Sequence, residues 1–184
     1  QLAAEELDAQ DLITVIDSAN LSTGIGLLVI EAAILAQNNK TAAEISVAVE
    51  NLKPYVRASF VVDTLTYLHR GGRCSAIAAM AGGLLKLHPQ IIVEHGAMKP
   101  TKKYRGKMDS VILSYVKDME PALKHARPDR VFITHSGCDP TIVNAVRSYL
   151  EGLGIFHEIL ETRAGGVISS HCGPGTLGVL FIES

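Results

Sequence analysis

The sequence contains no tryptophan and few aromatic residues, which make up 5% of its 184 positions. Hydrophobic residues make up 47% of the chain and are therefore mostly alanine, leucine, isoleucine and valine. This composition fits helices layered on a sheet better than an all-β sandwich. The length suits one large domain, or one domain with part of another.

The chain also has little net charge, no long apolar run and few cysteines. A formal net charge of −2 gives no whole-chain attraction to nucleic acid. The longest apolar stretch, residues 26–36, contains Glu31 and is too short to span a bilayer, and no segment resembles a signal peptide. The three cysteines, at positions 74, 138 and 172, form no C-x-x-C motif, which predicts reduced thiols in a cytoplasmic protein.

Several catalytic, cofactor and metal motifs are absent. No G-x-S-x-G or P-loop motif occurs, and Gly24-Ile25-Gly26 is followed by Val29 where a dinucleotide fingerprint has its third glycine. The seven histidines form neither H-x-x-x-H nor H-E-x-x-H, so neither a metal nor a cofactor is predicted. His171 and Cys172 are adjacent, but neighbours in an extended segment point to opposite sides, which disfavours a Cys–His nucleophile.

Hydrophobic periodicity and turn signals predict a strand and two helices at the start of the chain. Residues 12–16 are interpreted as a buried strand, and residues 22–36 as a very apolar helix. A capping box formed by Thr41 and Glu44 begins the next helix, which ends at the proline of position 54. Pro54 is therefore the candidate domain boundary.

Residues 55–184 are predicted to form a complete α/β domain with a mixed sheet flanked by helices. Asp63 is expected to cap a short helix that ends at Arg70. A hairpin is expected to turn at His95-Gly96, with Pro100 placing its second strand at a sheet edge. The other predicted strands cover residues 56–62, 131–134, 156–160 and 179–182, and the other predicted helices cover residues 75–87, 106–126 and 140–150.

Two basic elements are candidates for contact with an anion. Arg70 and Arg73 flank two glycines, and this element is either a helix C-cap with solvated arginines or a site for an anion or a partner. Five cations without an acid lie between Lys99 and Lys107, as on a solvated hairpin face. Arg105 differs from the others because it precedes a glycine at the junction of strand and helix, where a side chain can reach a cleft.

The last loop of the chain is rich in glycine. Glycine lets the backbone approach a ligand closely, and histidine is a donor or a cation near neutral pH. The loop is therefore either a tight turn into an inner strand or a site for an anion. Together with the smooth apolar interior, it suggests an amphiphile whose anionic head lies at Ser170, His171, Gly173 and Gly175.

Five motifs follow one another along the chain. They are Val15-Ile16-Asp17-Ser18 with Ser22-Thr23-Gly24-Ile25-Gly26, residues 63–73, residues 84–89, residues 103–107, and His171-Cys172-Gly173-Pro174-Gly175. In this order and spacing they cover nearly the whole chain from residue 12, and the chain resembles the DegV family of bacterial fatty-acid-binding proteins.

The resemblance implies a two-domain α/β carrier that holds one long-chain fatty acid, such as palmitate, stearate or oleate. In that family the protein catalyses no reaction itself but presents the carboxylate to an ATP-dependent fatty acid kinase, which makes acyl-phosphate for lipid synthesis. By resemblance, the head group is expected near His171, Arg105, Ser170, Gly173 and Gly175. His171 and Arg105 look like the pair needed at the phosphorylation end.

The resemblance also assigns kinase docking to Arg70 or Arg73. The family's first domain carries Thr-Ser-x-Pro-Ser and Ser-Gly-Thr loops that bind the carboxylate, and neither loop occurs here. Residues 1–54 are therefore expected to be the C-terminal part of that first domain, and residues 55–184 the complete second domain. On this interpretation the chain begins inside a longer protein and holds half of the head-group site.

Two other functions stay open at this point. The chain is alternatively an enzyme of phosphoryl or acyl transfer on a small molecule, with Arg73, Arg105 and His171 as an oxyanion clamp. The enzyme alternative ranks below the carrier because the sequence has no obvious nucleophile or metal site. The third possibility is a docking module without a ligand, which would use the basic hairpin at residues 99–107.

Overall fold

A computed structural model describes residues 1–72 and 87–184. The helices are α1 (Leu2–Glu6), α2 (Thr23–Gln37), α3 (Ala42–Leu52), α4 (Thr66–Arg70), α5 (Met108–Asp118), α6 (Glu120–Leu123), α7 (Pro140–Gly152) and α8 (Gly166–Cys172), with a 3-10 turn at Lys53–Tyr55. The strands are β1 (Val56–Val61), β2 (Leu87–Glu94), β3 (Ala97–Arg105), β4 (Ala126–His135), β5 (Glu158–Arg163) and β6 (Leu177–Glu183). The structure is therefore α/β, as predicted. The helix expected at residues 75–87 lies outside the described residues except for Leu87, which begins β2.

The six strands form one mixed sheet in the order β3-β2-β1-β6-β4-β5. All pairs are antiparallel except β4 with β5, which is parallel. The hairpin β2–β3 is confirmed, and β3, which contains Pro100, lies at the edge as predicted. A proline fits there because an edge strand has no partner for one row of backbone groups.

This topology gathers the loops of interest at one end of the sheet, which we call the loop end. It carries the C-terminal ends of β1, β3, β4 and β5 and the N-terminal ends of β2 and β6. The strand residues found there are Arg105, Leu87, Val61, Leu177, His135 and Arg163. The segments after β1 and before β6, which hold the two most distinctive motifs, therefore meet above neighbouring strands.

Helices α5, α6 and α7 cover one side of the sheet, which we call the closed face. Its core is one continuous apolar cluster that includes Val131, Ile133, Val179 and Phe181 of β4 and β6. The buried hydroxyl of Tyr115 donates to the carbonyl of Ser59 at 2.8 Å and accepts from the N–H of Val179 at 3.0 Å. Under α5, α6 and α7 the closed face is therefore filled with apolar side chains, and the polar group of Tyr115 within it is hydrogen-bonded.

The opposite side, which we call the cleft face, has two separate apolar clusters. One lies under α2 and α3 and includes Leu27, Phe132 and Leu180. The other includes Phe60 of β1 and Cys172 of α8, together with residues of β2 and α4. The gap between these clusters runs along the sheet from β1 to β4.

The structure corrects three local predictions. Leu12 lies in a turn and is 88% exposed, and residues 13–16 pair with no strand among the described residues, so the predicted buried strand is wrong. A strand needs a partner, which hydrophobicity alone does not provide. Asp63 does not cap α4, because the hydroxyl of Thr64 accepts from the N–H of Thr66 at 3.2 Å. The predicted strand at residues 156–160 begins later, at Glu158.

His171 and Cys172 were expected to lie in an extended segment and instead belong to α8. His171 and Cys172 lie in its last turn. Successive side chains of a helix are rotated by about 100° from each other, so the two residues still face different surroundings. The helix ends at Gly173, whose φ of 82° is a conformation that glycine adopts without strain.

Candidate functional site

A cleft lies on the cleft face between the start of α2 and α8. The space between its walls is about 400 Å³, part of which is open to solvent. Its apolar lining comes from Leu21, Ala58, Phe60, Ala164, Ile168, Cys172 and Leu180. Such walls suit a hydrocarbon group, whose transfer from water gains about 0.8 kcal/mol per methylene.

Gly178 of β6 forms part of the cleft floor. A Cβ atom at this position would lie 2.6 Å from the carbonyl oxygen of Ser59 on the neighbouring strand. Phe60 pairs with Gly178 in the sheet register, and its ring also lines the cleft. Any larger residue at 178 would therefore push β1 away or narrow the cleft.

Hydroxyl groups line the cleft at the end of β4. The Thr134 hydroxyl hydrogen-bonds that of Thr23 in the first turn of α2, and it lies 3.0 Å from the Thr162 hydroxyl of β5. Ser22 and Thr176 also line this region. The motif at the start of α2 is therefore joined to the loop end through Thr134, and the cleft has a polar end beside its apolar walls.

Ser136 holds the Gly173-Pro174-Gly175 loop in place. Its hydroxyl donates to the carbonyl of Gly173, its N–H donates to the carbonyl of Thr176 at 2.9 Å, and its carbonyl accepts from the N–H of Gly175 at 3.0 Å. The N–H of Gly173 donates to Ser169 O at 2.9 Å. Both glycine N–H groups are therefore engaged within the protein, and the loop would contribute to a head-group site mainly through its shape.

The second and fifth motifs of the sequence pack directly against each other. His171 packs on Gly71, where a Cβ atom would overlap the imidazole, and the ring of Tyr67 packs on Gly173 in the same way. His171 Nδ1 is buried and has no hydrogen-bond partner among the residues that the structure describes. Arg70, the last residue of α4, is exposed beside this contact.

The other predicted site residues lie farther apart. Arg105 is exposed at the end of β3, on the loop end but at the sheet edge. Ser170 is exposed on α8, and its hydroxyl donates to Val167 O at 2.8 Å. Arg73 lies outside the described residues. The structure thus joins His171 and Gly173 to the Arg70 segment, while Arg105 shares only the loop end with them.

The thiols of the two described cysteines, Cys138 and Cys172, have raised pKa values. Burial raises the pKa of Cys172 to about 11, and burial together with nearby Asp109 raises the pKa of Cys138 to about 11. Both are therefore protonated at neutral pH, whereas a nucleophile would be a thiolate. Within residues 1–72 and 87–184, no group of three or more His, Cys, Asp or Glu side chains is placed to hold a metal ion.

Ser136 and Tyr67 were not predicted as site residues. Ser136 lies in Thr134-His135-Ser136-Gly137-Cys138, which matches no catalytic pattern. Its place directly after a predicted inner strand was the one available signal, since strand ends at a sheet edge often carry functional residues. Tyr67 gave no signal because its partner, Gly173, is distant in the sequence.

No helix in the described part of the chain is both long and apolar enough to cross a membrane.

Comparisons with known proteins agree with this fold. The family model described as "Uncharacterised protein, DegV family" matches residues 1–184. A DegV domain-containing protein of Caldanaerobacter subterraneus is 31% identical over 182 residues, which are 98% of this chain and 64% of the relative. The chain therefore spans slightly less than two thirds of that relative's length.

Two solved structures are similar over the whole chain. One, described by its fatty acid binding, is a DegV family protein from Thermus thermophilus, with 29% identity and a TM-score of 0.87, and 64% of that protein is covered. The other is the Fatty Acid Kinase (Fak) B3 protein of Streptococcus pneumoniae loaded with linoleic acid. It has 17% identity and a TM-score of 0.83, with 64% of it covered, and it shows the shared fold alone.

Proposed function

This chain belongs to the DegV family, and from that premise we propose that it binds one long-chain fatty acid in the cleft between α2 and α8. The observation that carries the proposal is the cleft itself, which has apolar walls and hydroxyl groups at one end. A tail of sixteen carbons would gain on the order of 10 kcal/mol from burial, before the entropy cost of binding. The named binding of fatty acids by structural relatives supports the same ligand class.

We propose further that the chain is a carrier without catalysis of its own and that it presents the carboxylate to a fatty acid kinase. The raised pKa values of Cys138 and Cys172 support this, because neither of these two residues provides a thiolate nucleophile at neutral pH. In this proposal His171 and Arg105 act at the phosphorylation end, Ser170, Gly173 and Gly175 shape the head-group site, and Arg70 or Arg73 contacts the kinase. A cytoplasmic location stays a prediction from the cysteines.

The domain organisation is also a proposal, with residues 1–54 in the C-terminal part of a first domain and residues 55–184 as the second. The largely exposed segment at residues 12–16, which pairs with no described strand, supports it, because its β-branched and apolar residues suit a sheet strand. Glu31 of α2 also pairs with Arg127 at 3.1 Å and Arg130 at 2.5 Å. The first part is thus joined to the sheet of the second by ion pairs as well as by the core under α2.

Ligand binding is tested by denaturing the purified protein, extracting it with organic solvent and identifying the extract by mass spectrometry. We expect a stoichiometric C14–C18 acid. Ala164→Leu, which adds bulk to the cleft wall, should lower the retained acid severalfold. Ala3→Leu on the exposed side of α1 is the matched control and should retain it. Equal retention by both variants would place the ligand elsewhere, and no acid in the full-length protein would argue against a carrier.

Presentation to the kinase is tested with His171→Ala. We expect this variant to retain the fatty acid but to slow phosphorylation by an added fatty acid kinase. His157→Ala is the control, since His157 is exposed at the start of β5, at the other end of the sheet. A normal phosphorylation rate in His171→Ala would remove His171 from the mechanism. Turnover of small phosphorylated compounds by the chain alone would favour the enzyme alternative.

A further inference from the structure

His88 of β2 is a buried histidine that the proposed function does not use. It is 6% exposed. Its Nε2 lies 3.0 Å from the carbonyl oxygen of Gly106, and its Nδ1 lies 3.4 Å from Oδ1 of Asp63. Nδ1 makes no aligned hydrogen bond with any described residue. A buried polar atom left in this way costs free energy, so the site calls for an explanation.

Both groups that face the imidazole are acceptors. A backbone carbonyl and a carboxylate have lone pairs but no proton to donate. A neutral imidazole carries one N–H, so it serves one of the two acceptors and turns a lone pair toward the other. An imidazolium carries two N–H groups on opposite sides of the ring, and it alone can donate to Gly106 and Asp63 together.

These two contacts join segments that the proposed function uses. Gly106 follows Arg105 and has a φ of 126°, so the turn that orients Arg105 depends on a glycine conformation. Asp63 opens the segment that leads through α4 to Arg70 and Gly71, on which His171 packs. His88 therefore lies between the edge-strand arginine and the segment that contacts the Gly-Pro-Gly loop.

We propose that His88 is a positioning residue whose imidazolium form fastens the Arg105–Gly106 turn to Asp63, so that presentation of the fatty acid carboxylate depends on pH. This inference rests on the proposed function. When His88 is charged, at lower pH, both contacts form and the turn is held. As the pH rises and the proton leaves, Nδ1 faces a carboxylate without a hydrogen, and the contact with Asp63 is lost.

Among the described residues of the elements packed against the start of β2, the other charged and titratable groups are on β3 and α5. Tyr104 pairs with His88 in the register, and burial followed by the hydrogen bond to Asp118 raises its pKa, which keeps it neutral. The hydrogen bond from Lys102 lowers the pKa of Asp118, which keeps it ionised. Lys107 and Asp109 lie at the start of α5, and Tyr115, whose pKa is raised by burial, lies further along it. Histidine is the side chain whose charge ordinarily changes between pH 5 and 8.

The direct test is nitrogen NMR of the histidine side chains in the native protein between pH 5 and 8. We expect His88 to carry a proton on both ring nitrogens at the acid end and on Nε2 alone at the other. Amide exchange of residues 105–107, corrected for its intrinsic pH dependence, should speed up about fivefold across the same change. This readout requires neither a fatty acid nor a kinase, so its failure is distinct from failure of the proposed function.

Three variants separate positioning from a structural role. His88→Lys keeps a cation with several donors. Phosphorylation of the fatty acid on this variant should therefore be retained, and its rate should lack the pH dependence that His88 gives the native protein. His88→Gln has no charge to lose and should behave at every pH as the native protein does at high pH. In Asp63→Asn the side-chain N–H can donate to Nδ1 of a neutral His88. This variant should therefore also lack the pH dependence of phosphorylation. His157→Gln is the matched control and should keep the native profile.

Two results would overturn the proposal. One is a single N–H on His88 throughout the range from pH 5 to 8. The other is a pH profile of His88→Lys that equals the native profile. Fatty acid retention, measured by mass spectrometry on the same samples, shows independently whether the carrier function holds.

Discussion

The two faces of the sheet differ in how completely they are packed. On the closed face, one apolar cluster runs continuously under α5, α6 and α7, and the buried hydroxyl of Tyr115 is fully hydrogen-bonded. On the cleft face, two clusters are separated by a cleft with hydroxyl groups and the thiol of Cys172. The difference indicates that the core under α5, α6 and α7 secures the fold, so that the cleft face can leave room for a ligand.

The largest expected effect comes from residues 180 and 181, which are adjacent on β6 and face opposite sides. Phe181→Ala, on the closed face, should lower the free energy of unfolding by about 3–5 kcal/mol, because it leaves a cavity in a close-packed core. Leu180→Ala, beside the cleft, should cost about 2 kcal/mol, at the low end for such a change. Chemical denaturation measures both, and equal losses would mean that the faces are packed alike.

Tyr115→Phe tests the buried polar group of the closed face. The change leaves the Ser59 carbonyl and the Val179 N–H without their partner, so it should cost about 1–3 kcal/mol. Tyr149→Phe is the control, since the Tyr149 hydroxyl donates to Glu120 near the surface. Its loss should lower the free energy of unfolding by less than about 1 kcal/mol. Thermal or chemical unfolding measures both losses of stability. A larger loss for Tyr149→Phe than for Tyr115→Phe would contradict the role assigned to Tyr115.

Ser136→Ala tests how the cleft face holds its loop. One of three hydrogen bonds to the Gly173-Pro174-Gly175 region is lost, so the stability should fall by about 0.5–1.5 kcal/mol. The more informative measurement is hydrogen exchange, which should speed up at residues 173–176 and stay unchanged on α7. Ser114→Ala, whose hydroxyl bonds its own helix at Ser110, is the control and should leave that loop unaffected.

The smallest effect concerns Cys172 and pH. Burial raises its pKa from the usual 9 to about 11, so folding favours the neutral thiol. The resulting stabilisation is present below pH 9 and is lost as the pH rises from 9 to about 11. Alkylation should be slow at neutral pH, and slower still when a fatty acid fills the cleft. If alkylation is fast and its rate does not change when fatty acid is added, Cys172 does not lie in the cleft that the fatty acid occupies.

The sequence predicted those elements whose signals are local. The capping box of Thr41 and Glu44 begins α3 as predicted. The helix predicted to start at residue 140 is α7, which Asp139 caps by accepting from Thr141 N at 2.8 Å. Pro100 marked β3 as an edge strand. In each case the deciding atoms lie within a few residues, so residue types were enough to predict the result.

Features that depend on distant partners were missed. Residues 12–16 have the composition of a strand, but pairing depends on a second segment. The short helix α8 begins at Gly166, directly after the N-cap Gly165, and glycine is a poor helix former. The helix is stabilised by packing against α4 rather than by its own propensity. Ser136 acts on backbone groups 37 to 40 positions later, and no local pattern reports such a contact.

The mutual packing of Gly71 with His171 and of Tyr67 with Gly173 has a consequence for how the protein can change over evolution. Each segment supplies a ring and also the gap that admits the other segment's ring, so each restricts what the other can become. A bulkier residue at 71 would require a smaller one at 171, and the same holds for 173 and 67. Related sequences should therefore covary at these positions, and a loop graft that moves one segment without the other should fail.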